Sequence, residues 1–193
     1  MLKKTLFLLV LCCFAGSARA EEALRWRAAL TGGMVSEKHF AGVENPNVAV
    51  AGGEIGRAFM NSLEFGYSFA YAGLVQKQTL TAAQTGYDVT FHILFANVLL
   101  DTTARGFYAG PQLGIVGRTL RKGGQNVGLN SVAFGARAGY NYPISGFFSA
   151  GFQAQFLSVG DAKATVIENS VNTTYRAPKT SFAKYLLLLS YKF

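Results

Sequence analysis

The sequence predicts an all-β fold, an eight-stranded antiparallel up-and-down transmembrane β-barrel, on three observations. The last thirteen residues, SFAKYLLLLSYKF, put Tyr185, Leu187, Leu189, Tyr191 and Phe193 on one face of an extended chain, with Lys184, Leu186, Leu188, Ser190 and Lys192 on the other. An aliphatic stripe with an aromatic at either end suits a strand that crosses a bilayer with rings at both interfaces. The alternation recurs in seven segments upstream, while beyond residue 20 no run reaches the roughly twenty apolar residues of a membrane helix. Long and short connectors alternate between the segments. A lone strand cannot cross lipid, because each unpaired backbone N–H or C=O costs several kcal/mol there, so the set must close on itself.

The chain of 193 residues opens MLKKTLFLLVLCCFAGSARA, with Lys3 and Lys4, an apolar run from Leu6 to Ala15, and Ala18 and Ala20 at the small positions before a cut. That is the pattern of a secretory signal peptide, too short to span as a helix, so residues 1–20 are expected to be removed and 21–193 to form one barrel domain. Cys12 and Cys13 raise an acylated start as an alternative, which Leu11 disfavours as the neighbour of a cleavage. Both cysteines leave with the leader, so neither a disulfide nor a thiolate metal site is expected. The formal charge of +8 includes Lys3, Lys4 and Arg19; without them 15 basic residues stand against 10 acidic, a net of +5. That balance is basic without being extreme, and no nucleic-acid partner is expected.

In chain order, the first strand (24–34) sets Leu24, Trp26, Ala28, Leu30 and Met34 opposite Arg25, Arg27, Ala29 and Thr31. SEKHFAGVENPN is a surface loop. The second strand (47–57) is mostly small residues around Gly52 and Gly53; with Glu54 inward, Ala49, Ala51 and Ile55 face lipid. In the third, Leu63, Phe65, Tyr67, Phe69 and Tyr71 face lipid, and Glu64, Gly66, Ser68, Ala70 and Ala72 face a crowded lumen. After VQKQTLTAAQTG, the fourth (87–100) sets Tyr87, Val89, Phe91, Ile93 and Phe95 against an inward set of Asp88, Thr90, His92, Leu94 and Ala96. Beyond DTTARG, the fifth sets Phe107, Ala109, Leu113 and Ile115 against Tyr108, Gly110, Gln112, Gly114 and Arg118. Pro111 cannot donate to the ladder, so a bulge or a missing bond is expected there. A loop, TLRKGGQNVGLN, leads to the sixth strand, with Val132, Phe134, Ala136, Ala138, Tyr140 and Tyr142 outward and Ala133, Gly135, Arg137, Gly139 and Asn141 inward. After the turn PISGF, Phe148, Ala150, Phe152, Ala154 and Phe156 alternate with Ser149, Gly151, Gln153 and Gln155, and residues 158–180 form the longest loop before the closing strand.

Four long loops thus fall on one side, with three short turns and both termini on the other. This pattern resembles the small eight-stranded outer-membrane barrels, the OmpA-like and OmpX-like porin superfamily, over the whole of 21–193. Phe193 with Tyr191 and Leu189 resembles the terminal signal by which such proteins are recognised by the outer-membrane assembly machinery, and FYAGPQLGIVG resembles a Gly-rich strand common in them. The resemblance implies a Gram-negative outer membrane, with lipid and lipopolysaccharide as neighbours, a monomer, and no cofactor. Trp26, Tyr71, Tyr87, Tyr140, Tyr142 and Tyr185 are the expected interface aromatics.

Six basic residues (Arg25, Arg27, Arg118, Arg137, Lys184, Lys192) and three acids (Glu54, Glu64, Asp88) sort to the lumen. An eight-stranded barrel is just wide enough to be filled by side chains, so these charges, with Gln112 and Gln153, are expected to form a paired polar core. Arg137, amid Gly135 and Gly139, needs an acid, and Glu64 or Glu54 can reach its depth. The competing reading is a narrow anion-preferring channel. The loops carry Lys38, Lys77, Arg121, Lys122, Lys163, Arg176 and Lys179 against Glu37, Glu44, Asp161 and Glu168, a net of +3 suited to lipopolysaccharide phosphates or an anionic surface ligand. Catalysis has little support: His92 is followed by Ile93 and Leu94, so the His-x-Ser pattern of the lipid A deacylase barrels is missing. His39 and His92 are too far apart in the chain for a metal set. GGEIG has no following helix to cradle phosphate, and Asn172-Thr173-Thr174 matches a glycosylation acceptor only as a short motif. The expected order is therefore a structural or surface-interaction barrel, then a small-solute channel, then a lipid-modifying enzyme.

Overall fold

A computed structural model describes residues 26–39, 47–59, 62–73, 87–100, 106–122, 125–168 and 171–193. Eight strands close into one antiparallel barrel: β1 (Trp26–His39), β2 (Val48–Phe59), β3 (Leu63–Ala72), β4 (Tyr87–Leu99), β5 (Gly106–Lys122), β6 (Gln125–Pro143), β7 (Phe148–Val159) and, last in the chain, β10 (Thr180–Lys192). Between β7 and β10, β8 (Ala162–Glu168) and β9 (Val171–Ala177) pair only with each other. The barrel closes where β1 meets β10, from Arg27↔Lys192 to His39↔Thr180, and Trp26 and Phe193 exchange two backbone hydrogen bonds of 3.0 Å. The expected leader, Arg25, Glu44 and Lys77 lie outside the described residues, as do the side chains of Lys38, His39, Tyr87, Arg121, Lys122 and Glu168.

On seven of the eight barrel strands the alternation points as the sequence predicts. Leu30, Ile55, Phe65, Leu113, Phe134, Phe152 and Leu187 stand exposed on the outside, and Arg27, Glu54, Glu64, Gln112, Arg137, Gln153 and Lys184 are buried inside. Strand β4 is inverted. Val89, Phe91, Ile93 and Phe95 are buried in the lumen, whereas Leu94 and Val98 are exposed and His92 lies on the outer face. Both faces of this strand are apolar, so alternation alone does not say which one meets lipid. By the same parity Asp88 belongs to the outer face near the strand's upper end, where it is buried at the rim rather than in the lumen.

The inversion divides the interior. Toward the long loops, Val35, Val50, Ala70, Val89, Phe91, Ile93, Val116, Leu157, Phe182 and Leu186 form a continuous apolar core, with Phe91 and Phe182 edge to face at 5.3 Å. Toward the short turns the interior is polar. Fully burying side chains of this size contributes about 1.5–3 kcal/mol each, so the upper plug holds the barrel as well as filling it.

Two expected loops are ordered strand. Residues 119–122 continue β5 and residues 125–130 belong to β6, and the two stay paired out to Lys122↔Gln125. The long connector 158–180 carries the β8–β9 hairpin, in register from Ala162↔Ala177 to Glu168↔Val171. At Pro111 the β4–β5 ladder stops after Phe95↔Gln112 and resumes at Val98↔Ala109. The numbering offset is the same on both sides, so the proline produces a missing pairing and not a bulge. Gly110 lies in this gap, where a Cβ would collide with the Ala96 carbonyl.

The orientation of β4 is testable by fluorescence. In a Trp26→Phe background, Leu94→Trp in vesicles should be strongly quenched by brominated acyl chains and Phe95→Trp should be shielded. The opposite pattern would restore the orientation expected from sequence.

Candidate functional site

The short-turn half of the lumen is organised by a cluster of four charges that balance to zero, Arg27, Arg137, Glu54 and Glu64, with Lys192 buried at its end opposite Arg27 in register. Arg137 grips Glu54 with a fork: Nη1 donates to Oε1 at 2.9 Å and Nη2 to Oε2 at 3.2 Å. Arg27 bridges the two acids, with Nε donating to Glu64 Oε1 at 2.6 Å and Nη2 to Glu54 Oε2 at 3.3 Å. Asn97 ties the pairs together, accepting from Arg137 Nε at 2.9 Å and donating to Glu64 Oε2 at 2.7 Å. Gln153 donates to Glu54 Oε1 at 3.1 Å, and the Tyr108 hydroxyl donates to Gln153 Oε1 at 2.6 Å. Charge-assisted and bidentate bonds of this kind are what make buried ions tolerable.

The inverted β4 contributes directly, because Phe95 lies 3.6 Å from the Arg137 guanidinium, a cation–π contact on the face of the fork. Glycines make the room: a Cβ on Gly56 would collide with Glu64 Oε1, and one on Gly139 with the Tyr108 hydroxyl.

Of the residues expected in this core, the structure joins Arg27, Glu54, Glu64, Arg137 and Gln153. Gln112 is buried, but neither amide atom has a partner among the described residues. Lys184 is fully buried in the apolar half, where its Nζ has no acceptor among the described residues and sits 4.4 Å from the Phe91 ring. Arg118 is near the mouth, over Phe182 at 5.7 Å, with Nη1 donating to the Pro178 carbonyl at 3.4 Å. Sequence reasoning missed Asn97, and it placed Tyr108 inward without giving it a part in the cluster. It also missed Arg57 on the outside of β2, which is held between Trp26 and Phe59 at 5.4 and 5.2 Å. Glu37, counted among the loop charges, is buried on the inner face of β1.

Of the expected interface aromatics with described side chains, Trp26, Tyr140 and Tyr142 lie toward the short turns and Tyr71 toward the long loops, whereas Tyr185 sits at neither end. Tyr140 packs on Phe107 at 4.7 Å, and Tyr142 is exposed near the short turns; Tyr71 is exposed near the long-loop end of β3, and Tyr185 midway along β10. Tyr191 and Phe193 stack at 6.0 Å on the outside wall, beside Phe148.

A second candidate surface lies over the mouth. Val127 and Leu129, on the inner face of the extended β6, pack with Ala162, Ala164, Val166, Tyr175 and Ala177 of the hairpin. The hairpin therefore lies against the inner face of the extended β6 with one face buried. On its other face Lys163 lies opposite Arg176, and Thr165 opposite Thr174 with hydroxyls 3.2 Å apart.

Arg137→Met should destabilise the barrel by about 3–5 kcal/mol, since it strands Glu54 in a dry interior. Adding Glu54→Gln should recover much of the loss, because Arg27 keeps Glu64. Urea unfolding from lipid vesicles measures both, and additive losses would dissolve the pairing.

No family model and no curated protein matches the chain. Solved structures do match. Neisserial surface protein A superposes with a TM-score of 0.67 at 13% identity, over 88% of this chain and 97% of that one. The outer membrane protein AlkL, solved in lipid bilayers, gives 0.57 at 14% identity over 92% and 94%. Ail, the attachment invasion locus protein of Yersinia pestis, gives 0.55 at 12% identity over 88% and 99%, and has also been solved in complex with the heparin analogue sucrose octasulfate. With its closed ring of eight antiparallel strands, the chain has the fold of the small eight-stranded outer-membrane β-barrels.

Proposed function

We propose that the chain is a bacterial outer-membrane protein, exported by a cleaved leader, with its short turns in the periplasm and a sealed lumen, and that it acts at the cell surface by binding an anionic partner. The observation that carries this reading is the two-faced β8–β9 hairpin. Its apolar face is spent against β6, while Lys163 and Arg176 stand directly across from each other on the free face, both exposed and neither in an ion pair among the described residues. Like charges in that cross-strand relation are destabilising, unless an anion lies between them. The neighbouring pair of threonine hydroxyls adds donors that need no charge. The face is turned away from the wall of β6 and so is open to the medium. That Ail accepts a densely sulfated ligand is a property of Ail, and it supports the chemistry as one that this kind of barrel can carry. The lumen offers no comparable case for transport, since polar and apolar plugs fill its two halves in series.

Leu189, Tyr191 and Phe193, outward at the periplasmic end, are proposed to serve the assembly machinery, and lipopolysaccharide is the expected surrounding lipid in the outer leaflet.

The folded protein should bind immobilised heparin, with an affinity that falls as salt rises. Lys163→Ala/Arg176→Ala should weaken binding severalfold and flatten its salt dependence, with no change in barrel stability. Unchanged binding by the double variant would move the site off the hairpin, and absence of binding by the wild type would remove the polyanion reading.

A further inference from the structure

On the lipid-facing wall, the inverted β4 exposes a polar pair in a place where sequence reading had put a lumen residue. The Tyr67 hydroxyl and His92 Nδ1 are 2.7 Å apart, on the outside of β3 and β4. Phe69 flanks the imidazole, with its ring centroid 5.1 Å away. Tyr71 marks the interface at the long-loop end of β3. At about 3.3 Å per residue, on a strand tilted by roughly 40°, Phe69 and Tyr67 lie about 5–10 Å beneath it. That depth is under the headgroups, where a membrane-facing ionisable residue is costly and marks a functional site by default.

The pair also has a fixed surplus. A neutral imidazole carries one N–H and a phenol one O–H, and the contact between them uses one of the two hydrogens. Whichever group donates, the other hydrogen is left: it is His92 Nε2–H in one tautomer and Tyr67 O–H in the other. Neither residue has a further partner among the described residues. One unsatisfied donor therefore faces a medium poor in water. Just above it the apolar belt is broken by Thr90, Gly117 and Asn130, with the Thr90 hydroxyl directed at the Gly117 carbonyl at 3.5 Å. Below and beside it, Leu94, Ile115 and Val132 restore an apolar wall along which an acyl chain can lie.

We propose that Tyr67 and His92 form a lateral lipid-binding site in the outer-leaflet half of the barrel wall, donating their spare hydrogen bond to an acyl-ester oxygen of a bound lipid. Ester oxygens accept and do not donate, they sit at this depth, and the chains attached to them match the apolar wall below. Lipid A and glycerophospholipids both carry such esters. The site shares no residue with the hairpin or the lumen, so it stands or falls independently of the surface-binding reading, and only its leaflet rests on the proposed orientation.

Native mass spectrometry of the full folded chain in detergent, titrated in parallel with lipid A and with phosphatidylethanolamine, tests the proposal. Wild type should retain bound lipid, and Tyr67→Phe/His92→Phe, which removes every donor, should retain about tenfold less. His92→Gln, which keeps a donor, should stay close to wild type, and Leu187→Phe, on the outer face of β10 and away from the site, should be unaffected. Folding is read from heat-modifiable mobility on gels; Tyr67→Leu/His92→Leu gives the same comparison should the phenylalanine pair fold poorly. Preference for lipid A identifies the outer-leaflet glycolipid, and equal retention of both lipids identifies the ester itself. Undiminished retention by both double variants overturns the site.

Discussion

Backbone hydrogen bonding in hydrocarbon is the constraint from which the rest follows. Every N–H and C=O on the membrane-crossing strands needs a partner within the protein, which forces the first and last barrel strands together at Trp26 and Phe193. Eight strands then set a diameter that side chains can just fill. From that point each residue has two choices, lipid or a crowded interior, and its position along the strand decides which.

A crowded interior has consequences for charge. Arg27, Arg137, Glu54 and Glu64 are tolerable only because they neutralise one another and because Asn97, Gln153 and Tyr108 take up much of the remaining hydrogen-bonding capacity. The apolar half above them depends on the orientation of β4, which supplies Val89, Phe91 and Ile93 to the plug and Phe95 to the face of Arg137. One strand thereby links the two halves. It also places His92 on the outer wall, so the lumen's packing and the lateral polar pair are two results of one choice of face.

Much of this was legible in the sequence, because period-two alternation reports a wall with unlike sides. Where the sides are alike it is silent, and β4 is apolar on both. The usable signal there was Asn97, which shares the face of Phe95 and belongs in the lumen; Asp88 misled, since near the rim of a barrel either face can be wet. The extension of β5 and β6 and the β8–β9 hairpin were written in weaker alternations, Val127 with Leu129 and Ala162 with Ala164 and Val166, and their polar partners made them read as loops. That Arg137 needs an acid followed from burial alone. That the acid is Glu54, 83 positions away, depends on strand stagger around the closed ring, which a single sequence does not encode locally.

The central claim is that the lumen is sealed in series by a neutral polar cluster and an apolar plug, which leaves the hairpin and the outer wall as the working surfaces. Single-molecule conductance across a planar bilayer measures this most directly. The account predicts that the folded full-length chain inserts without discrete current steps at neutral pH in molar salt. Stable, reproducible steps with a defined ion preference would show a continuous wet path past Arg137 and Lys184 and would contradict it.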